Sequence, residues 1–160
     1  MIESAVAQKL QAAQWRTIKP DCVAPDDYVE QVEASIGATL PEQYRSFLSA
    51  WPCRSGPRRP VYCPIRRGPG KNSGGAPLLE FSGFDPDSKT LMNMDGDYRK
   101  SAFDGFVLIA DDLLSNWFYL KLADGSAWYL NRSGKGARNF ENLALVGSDF
   151  NDFILRMRIP

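Results

Sequence analysis

The stretch VEASIGATLPEQYRSFLSAW, residues 32–51, decides the fold because it holds the end of one helix, a short connector and the start of another. Apolar residues recur up to Ile36 with the spacing of one helical face, and Gly37 follows where a left-handed cap usually ends a helix. Pro41 suits a first helical position, because the N–H that proline lacks has no partner there. We therefore expect one helix to stop at Gly37 and a second to start at Pro41.

The second of these helices carries an apolar stripe. Its large side chains fall at positions i, i+3, i+4 and i+7 of a helical repeat: Tyr44, Phe47, Leu48 and Trp51. This spacing puts all of them on one face of a helix. We expect that face to be buried in the core.

Length and composition favour a single domain over residues 1–160, which is long enough to bury about 70% of its unfolded surface. Nineteen basic and nineteen acidic residues cancel, so net charge gives no reason to expect a nucleic-acid or membrane partner. The chain contains no histidine, which excludes Ser-His-Asp and Cys-His catalysis and histidine-bound zinc. We predict a protein that is not an enzyme and needs neither cofactor nor metal.

Cysteine usage favours a reducing compartment. Cys22, Cys53 and Cys63 form an odd set without C-x-x-C spacing, which is not typical of a disulfide framework. A Cys53–Cys63 bridge is the less favoured alternative. The sequence also lacks the features of a signal peptide and any apolar run long enough to span a membrane. These observations predict a cytoplasmic protein.

Before the opening motif, the pattern predicts a helix over residues 2–14. After the second helix of the motif, the amino-acid composition changes over a long stretch. Residues 52–78 hold six prolines, five glycines and six basic residues but no acid, and we expect a long irregular loop there. Residues 61–63 could form a short edge strand, confined by Pro60 and Pro64.

The sequence pattern of the second half of the chain predicts strands followed by a helix. We expect strands at 78–84 and at 106–110, the latter buried on both faces because its apolar residues do not alternate with polar ones. Residues 117–123 and 126–130 flank Asp124-Gly125, a pair typical of a two-residue hairpin turn. A terminal helix is predicted from the N-cap residue Ser148 and from an apolar face of helical spacing: Phe150, Phe153, Ile154 and Met157.

The opening stretch resembles the N-terminal signature of the SUKH superfamily, the Smi/Knr-like proteins. The pattern LG-x-x-LP-x-x-Y-x-x-FL of that family is matched by a set of residues in two helices: Ile36-Gly37, Leu40-Pro41, Tyr44 and Phe47-Leu48. The later half is similar to the same family at Ile109-Ala110-Asp111 and at Trp128-Tyr129. The resemblance implies an α+β fold, with N-terminal helices on a largely antiparallel sheet and a closing C-terminal helix.

The resemblance also implies a function. Many bacterial SUKH proteins are immunity proteins, which bind and neutralise a cognate toxin, frequently a nuclease, by covering it in the producing cell. A regulatory scaffold that recruits signalling partners, as the fungal members suggest, is the alternative.

Charge distribution gives candidate partner-binding residues. Residues 80–128 hold nine acids against four bases, and an inhibitor that covers the basic cleft of a nuclease gains from complementary acids. We expect the acids in or beside predicted turns to project toward the toxin: Asp85, Asp87, Asp95, Asp97, Asp111 and Asp112. The basic cluster at 54–71 could form a second contact through Arg66 and Arg67. With Tyr62 that cluster would also suit single-stranded nucleic acid, but the rest of the chain offers no matching basic face, so a protein partner is favoured.

Overall fold

A computed structural model of the protein describes residues 2–65, 75–85, 105–112, 114, 116–131 and 143–160. Within these residues the chain forms four helices: α1 (Ser4–Ala12), α2 (Tyr28–Ile36), α3 (Glu42–Ala50) and α4 (Phe150–Arg156). The first four strands are β1 (Trp15–Thr17), β2 (Ser55–Pro57), β3 (Tyr62–Pro64) and β4 (Gly75–Phe81). The remaining four are β5 (Phe106–Asp112), β6 (Trp117–Lys121), β7 (Ala127–Leu130) and β8 (Leu143–Gly147).

The strands build one antiparallel sheet in the order β1-β2-β4-β5-β6-β7-β8, with β3 paired to β4 beside this path. From β4 to β8 each strand pairs with the next one along the chain, whereas the N-terminal strand β1 joins the sheet only through β2. The fold is therefore α+β, as the sequence predicts.

The opening motif forms as expected, with one difference at Pro41. Gly37 ends α2 in a left-handed conformation, φ 69°, and its N–H donates to the carbonyl of Glu33 at 2.9 Å. Pro41 stands at the cap of α3, with ψ 135°, instead of inside its first turn. The N–H of Leu40 donates to the Glu33 carboxylate at 2.9 Å, so one side chain of α2 holds the connector between the two helices.

The stripe of α3 lies in the core. Tyr44, Phe47 and Leu48 are fully buried, and Trp51 packs against the core half-buried. The ring of Phe47 lies 5.1 Å from those of both Phe81 on β4 and Phe150 on α4, so α3, the sheet and α4 meet at this residue. The opposite face of the sheet carries a separate apolar cluster: Leu108, Trp117, Tyr119 and Leu130.

The prediction of an irregular loop over residues 52–78 is wrong in part. Within its described residues, β2 and β3 form, and β4 already begins at Gly75. Short strands with prolines are tolerated here because β2 and β3 are three residues long and lie toward the edge of the sheet. The edge strand expected near residues 61–63 is confirmed, one residue later, as β3. Residues 66–74 lie outside the described part.

The strands of the second half are confirmed, but the hairpin turn differs. β5 is buried on both faces and pairs with β4 and β6. β6 and β7 pair antiparallel, yet five residues, 122–126, connect them. Gly125 alone has a positive φ in this connection, 73°, so the two-residue turn that Asp124-Gly125 predicts does not form.

The helix N-cap of α4 is Asp149, not Ser148. The Asp149 carboxylate accepts from the N–H of Asp152 at 2.8 Å, and Ser148 instead donates its N–H and hydroxyl to the carboxylate of Asp152. The buried face of this helix is as predicted, with Phe150, Phe153 and Ile154 inside.

The expectation that the cysteines form no disulfide is wrong, whereas the disfavoured Cys53–Cys63 bridge is absent. Cys22 forms a disulfide with Cys53, whose Cα atoms are 6.3 Å apart, and Cys63 is a free, buried thiol. Cys53 lies against Phe84, and the N–H of Arg54 donates to the Phe84 carbonyl at 3.2 Å. A pairing between residues 31 positions apart depends on the tertiary fold, which an odd cysteine count does not reveal.

Candidate protein-binding surface

Asp85 lies inside the fold, contrary to the expectation that it projects from a turn. It is 6% exposed and accepts from Lys19 Nζ at 2.6 Å and from Arg54 Nη1 at 3.1 Å. Arg54 also pairs with Glu80 on β4. Arg54, which directly follows the disulfide-bonded Cys53, therefore pairs with two acids of the acid-rich region, residues 80–128.

Asp112 is likewise internal, with 2% of its surface exposed. Its Oδ1 accepts from the N–H groups of Leu114 and Asn116, and its Oδ2 accepts from the Asn116 amide and from the Tyr129 hydroxyl. These four contacts, 2.7–3.0 Å long, fasten the connection between β5 and β6 to β7. The expectation that Asp112 projects toward a partner is wrong for this reason.

Asp111 occupies an intermediate position. It stands opposite Glu80 in the β4–β5 register, and its Oδ1 is buried without a hydrogen-bond partner among the described residues. The pKa of Asp111 is raised to about 6. Burial is the largest cause, the negative charge of Asp112 adds to the increase, and the positive charge of Arg54 opposes it. Asp111 is thus a partly buried carboxylate that is readily protonated.

The other predicted partner-binding residues lie outside the described residues: Asp87, Asp95, Asp97, Arg66 and Arg67. Their role stays a prediction. We call Glu80, Asp85 and Asp112 the internal carboxylates, because each is held by contacts within the fold.

A second set of acids lies on the surface, before and within α2. We call this set the surface carboxylates: Asp21, Asp26, Asp27 and Glu30, all exposed. Asp27 accepts from Gln31 Nε2 at 2.7 Å, and Glu30 pairs with Arg45 at 2.8 Å. Asp21 and Asp26 have no side-chain partner among the residues that the structure describes. Sequence reasoning missed this set, although the chain has six acids and no base between Lys19 and Arg45.

The segment that carries the first of these acids is anchored at two points. Lys19 pairs with Asp85, and Cys22 is bonded to Cys53. Between Cys22 and α2, Val23 projects from the surface with 82% of its area exposed. The two anchors flank Asp21 and fix the start of the segment that leads through Val23 to α2.

Neither metal-binding nor membrane-spanning features occur in the described part of the chain. Its cysteines, aspartates and glutamates form no group of three suited to a cation. None of its helices has the length and apolar character needed to cross a bilayer.

The chain matches the model of the SMI1 / KNR4 family (SUKH-1) over residues 24–156, which includes α2, α3, the strands from β2 to β8 and α4. The protein belongs to this family. Comparison with individual curated proteins gave no significant match.

Proposed function

We propose that this protein is an immunity protein that binds a cognate toxin in the cytoplasm of the producing cell and blocks it sterically, without catalysis. The observation that carries the proposal is membership of the SMI1 / KNR4 family (SUKH-1) over residues 24–156. Among bacterial SUKH proteins this role is common, and the partner there is frequently a nuclease.

The charge of the surface carboxylates supports this function. Nucleases must attract phosphates, so the clefts they present are basic, and complementary acids on an inhibitor accelerate association and select the partner. Asp21 and Asp26 are exposed and not engaged within the described fold, whereas Asp85 and Asp112 are held by internal contacts. We therefore assign the toxin-facing role to the surface carboxylates, with Val23 as an apolar contact among them.

The other residues that the sequence predicts to bind the partner are proposed as secondary contacts. Asp111 is partly exposed and could be reached by a partner. Asp87, Asp95, Asp97, Arg66 and Arg67 keep the role that the sequence predicts for them, as contacts added to the surface carboxylates.

The first experiment tests the function itself. The candidate toxin, which we expect to be encoded beside this gene, is expressed from an inducible promoter with and without the protein, and colony formation is counted. We expect rescue, together with a 1:1 complex of the two purified proteins in size-exclusion chromatography. If toxicity is unchanged and no complex elutes, the immunity function is wrong.

The second experiment tests the binding face. Asp21→Asn with Asp26→Asn raises the net charge by two, and Gln8→Lys with Gln11→Lys makes the same change on exposed positions of α1. We expect the aspartate variant to associate with the toxin about tenfold more slowly at low salt, and less so at high salt, because screening weakens long-range attraction. Equal effects of both variants would show that only net charge matters and that this face is not the interface.

A further inference from the structure

A cleft of about 670 Å³ lies where α1, β3 and the residues after α4 meet, and no surface carboxylate is among its lining residues. Its lining includes Lys9, Tyr62, Pro64, Met157 and Arg158. This volume falls within the range of pockets that hold small organic ligands, about 300–1,000 Å³. The cleft is therefore large enough for a ligand of one or two rings.

Backbone pairing fixes two of the lining side chains relative to each other. The N–H of Tyr62 donates to the Arg158 carbonyl at 2.9 Å, and the N–H of Arg158 donates to the Tyr62 carbonyl at 2.8 Å. Residues that pair directly in an antiparallel bridge send their side chains to the same face. An aromatic ring and a guanidinium group thus lie side by side at the cleft, and Tyr62 as a residue is 41% exposed.

The charged side chains in the described lining of the cleft are both basic. Lys9 is half-buried and Arg158 is exposed, and neither side chain has an ion pair or hydrogen bond among the residues that the structure describes. The described residues of the lining include no aspartate or glutamate. A half-buried ammonium group without a counter-charge attracts an anion more strongly than a fully hydrated one, because the local dielectric constant is lower.

The remaining lining is apolar. Met157 is 2% exposed and Pro64 stands at the end of β3. Methionine sulfur and a tyrosine ring both make favourable contacts with an aromatic body. A ligand that fits all of these groups combines a flat apolar part with a doubly charged anionic head.

We propose that this cleft binds a small aromatic phosphate. The ring lies on Tyr62 and Met157, and the phosphate is held between Lys9 and Arg158, since an arginine fork and a lysine both favour phosphate oxygens. The site is independent of the proposed toxin contact. It is a ligand site that accompanies the protein-binding surface.

The test is a ¹⁵N NMR titration of the full chain in phosphate-free buffer at low salt, with three probes. Phenyl phosphate carries both features, inorganic phosphate only the charge, and benzyl alcohol only the ring. We expect phenyl phosphate to bind with a Kd of about 1 mM or tighter, in line with a fragment of this size, and the other two to bind at least fivefold more weakly. The shifted amides should cluster at Lys9, Tyr62, Gly75 and Arg158.

Variants localise the binding. Lys9→Gln and Arg158→Gln should each weaken phenyl phosphate about fivefold or more, without affecting benzyl alcohol, and Tyr62→Leu should weaken both. Arg16→Gln is the matched control, because Arg16 is exposed on β1 and does not line the cleft.

Three outcomes overturn the proposal: an equal loss in Arg16→Gln, shifts that map elsewhere, or inorganic phosphate binding as tightly as phenyl phosphate. The last would leave an anion site without selectivity for a ring. Unchanged ¹⁵N spectra of the free variants exclude unfolding as the cause of a loss.

Discussion

The internal carboxylates and the surface carboxylates of this protein differ in what holds them. Asp85 and Asp112 are almost fully buried and engaged by cations, amides or a hydroxyl of the same chain. Asp21 and Asp26 face solvent and are unengaged within the described fold. The difference teaches that acid density along a sequence does not measure the charge available to a partner. Removing an internal carboxylate should change stability, and removing a surface carboxylate should change association.

The largest effect is expected from Asp112→Ala. The substitution removes a buried acceptor from the Tyr129 hydroxyl, the Asn116 side-chain amide and the Asn116 N–H, and also frees the part-buried N–H of Leu114. We expect a loss of about 3–5 kcal/mol in the free energy of unfolding, measured by urea denaturation followed by circular dichroism. A loss below about 1 kcal/mol would mean that Asp112 is not a structural residue and would return it to the candidate contacts.

The next largest effect concerns the bond that joins the two regions. Cys22 directly follows Asp21, the first surface carboxylate, and Cys53 precedes Arg54, so the disulfide closes a separation of 31 residues. Cys22→Ser with Cys53→Ser should lower the free energy of unfolding by about 3 kcal/mol relative to the oxidised protein, through greater freedom of the unfolded chain.

Intact mass and thiol titration report whether the bond is present in purified protein, and Cys63→Ser is the matched control. Cytoplasmic reductants keep thiols reduced, so action in the cytoplasm requires that the double serine variant still rescues cells. If the parent and the double variant melt together under oxidising conditions, the bond does not stabilise the fold.

A smaller effect, confined to a pH window, is expected from Asp111→Asn. The pKa of Asp111 is raised from its ordinary value of 3.8 to about 6, so between these values the folded protein binds more protons than the unfolded chain. Stability contributed by this group is present below pH 4 and lost as the pH rises to 6. Asparagine does not titrate, so the free energy of unfolding of the variant should not decrease between pH 4 and 6 through this group. The variant should therefore be more stable than the parent at pH 7. Parallel melting profiles of the two proteins between pH 4 and 7 would contradict the raised pKa.

The smallest change in stability is expected at the surface carboxylates. Asp21→Asn with Asp26→Asn removes no contact that the structure describes, so the free energy of unfolding should change by about 0.5 kcal/mol or less. The same variant should slow toxin association, as set out above. A stability loss as large as that of Asp112→Ala would erase the distinction between the two sets of carboxylates.

Local sequence patterns predicted the parts of the fold whose conformation is determined by residues close together in the chain. The end of α2 at Gly37, the buried stripe through Phe47 and the pairing of β6 with β7 all follow from periodicity and turn residues within a few positions. Strand β2 escaped prediction because its three residues include Gly56 and Pro57 and are held by partners on β1 and β4.

The candidate site was harder to predict from the sequence because it, too, depends on contacts between residues that are far apart in the chain. Whether a carboxylate faces solvent depends on which cation or amide the fold brings to it, and Arg54 reaches Asp85 from 31 residues away. The run of acids around Asp26 was visible in the sequence, but only the structure separates it from the acids that are used internally.

The contacts of Phe47 determine when the protein can complete its fold during synthesis. Its ring packs on Phe81 and Phe150, and both residues leave the ribosome after it. Helix α3 therefore emerges with an aromatic face that can meet Trp15 at once but lacks the rings of Phe81 and Phe150 until β4 and α4 have been translated. Nascent chains that stall before α4 should bind chaperones that recognise apolar surface and should be poor inhibitors of any toxin, because the last helix completes the core that positions the first ones.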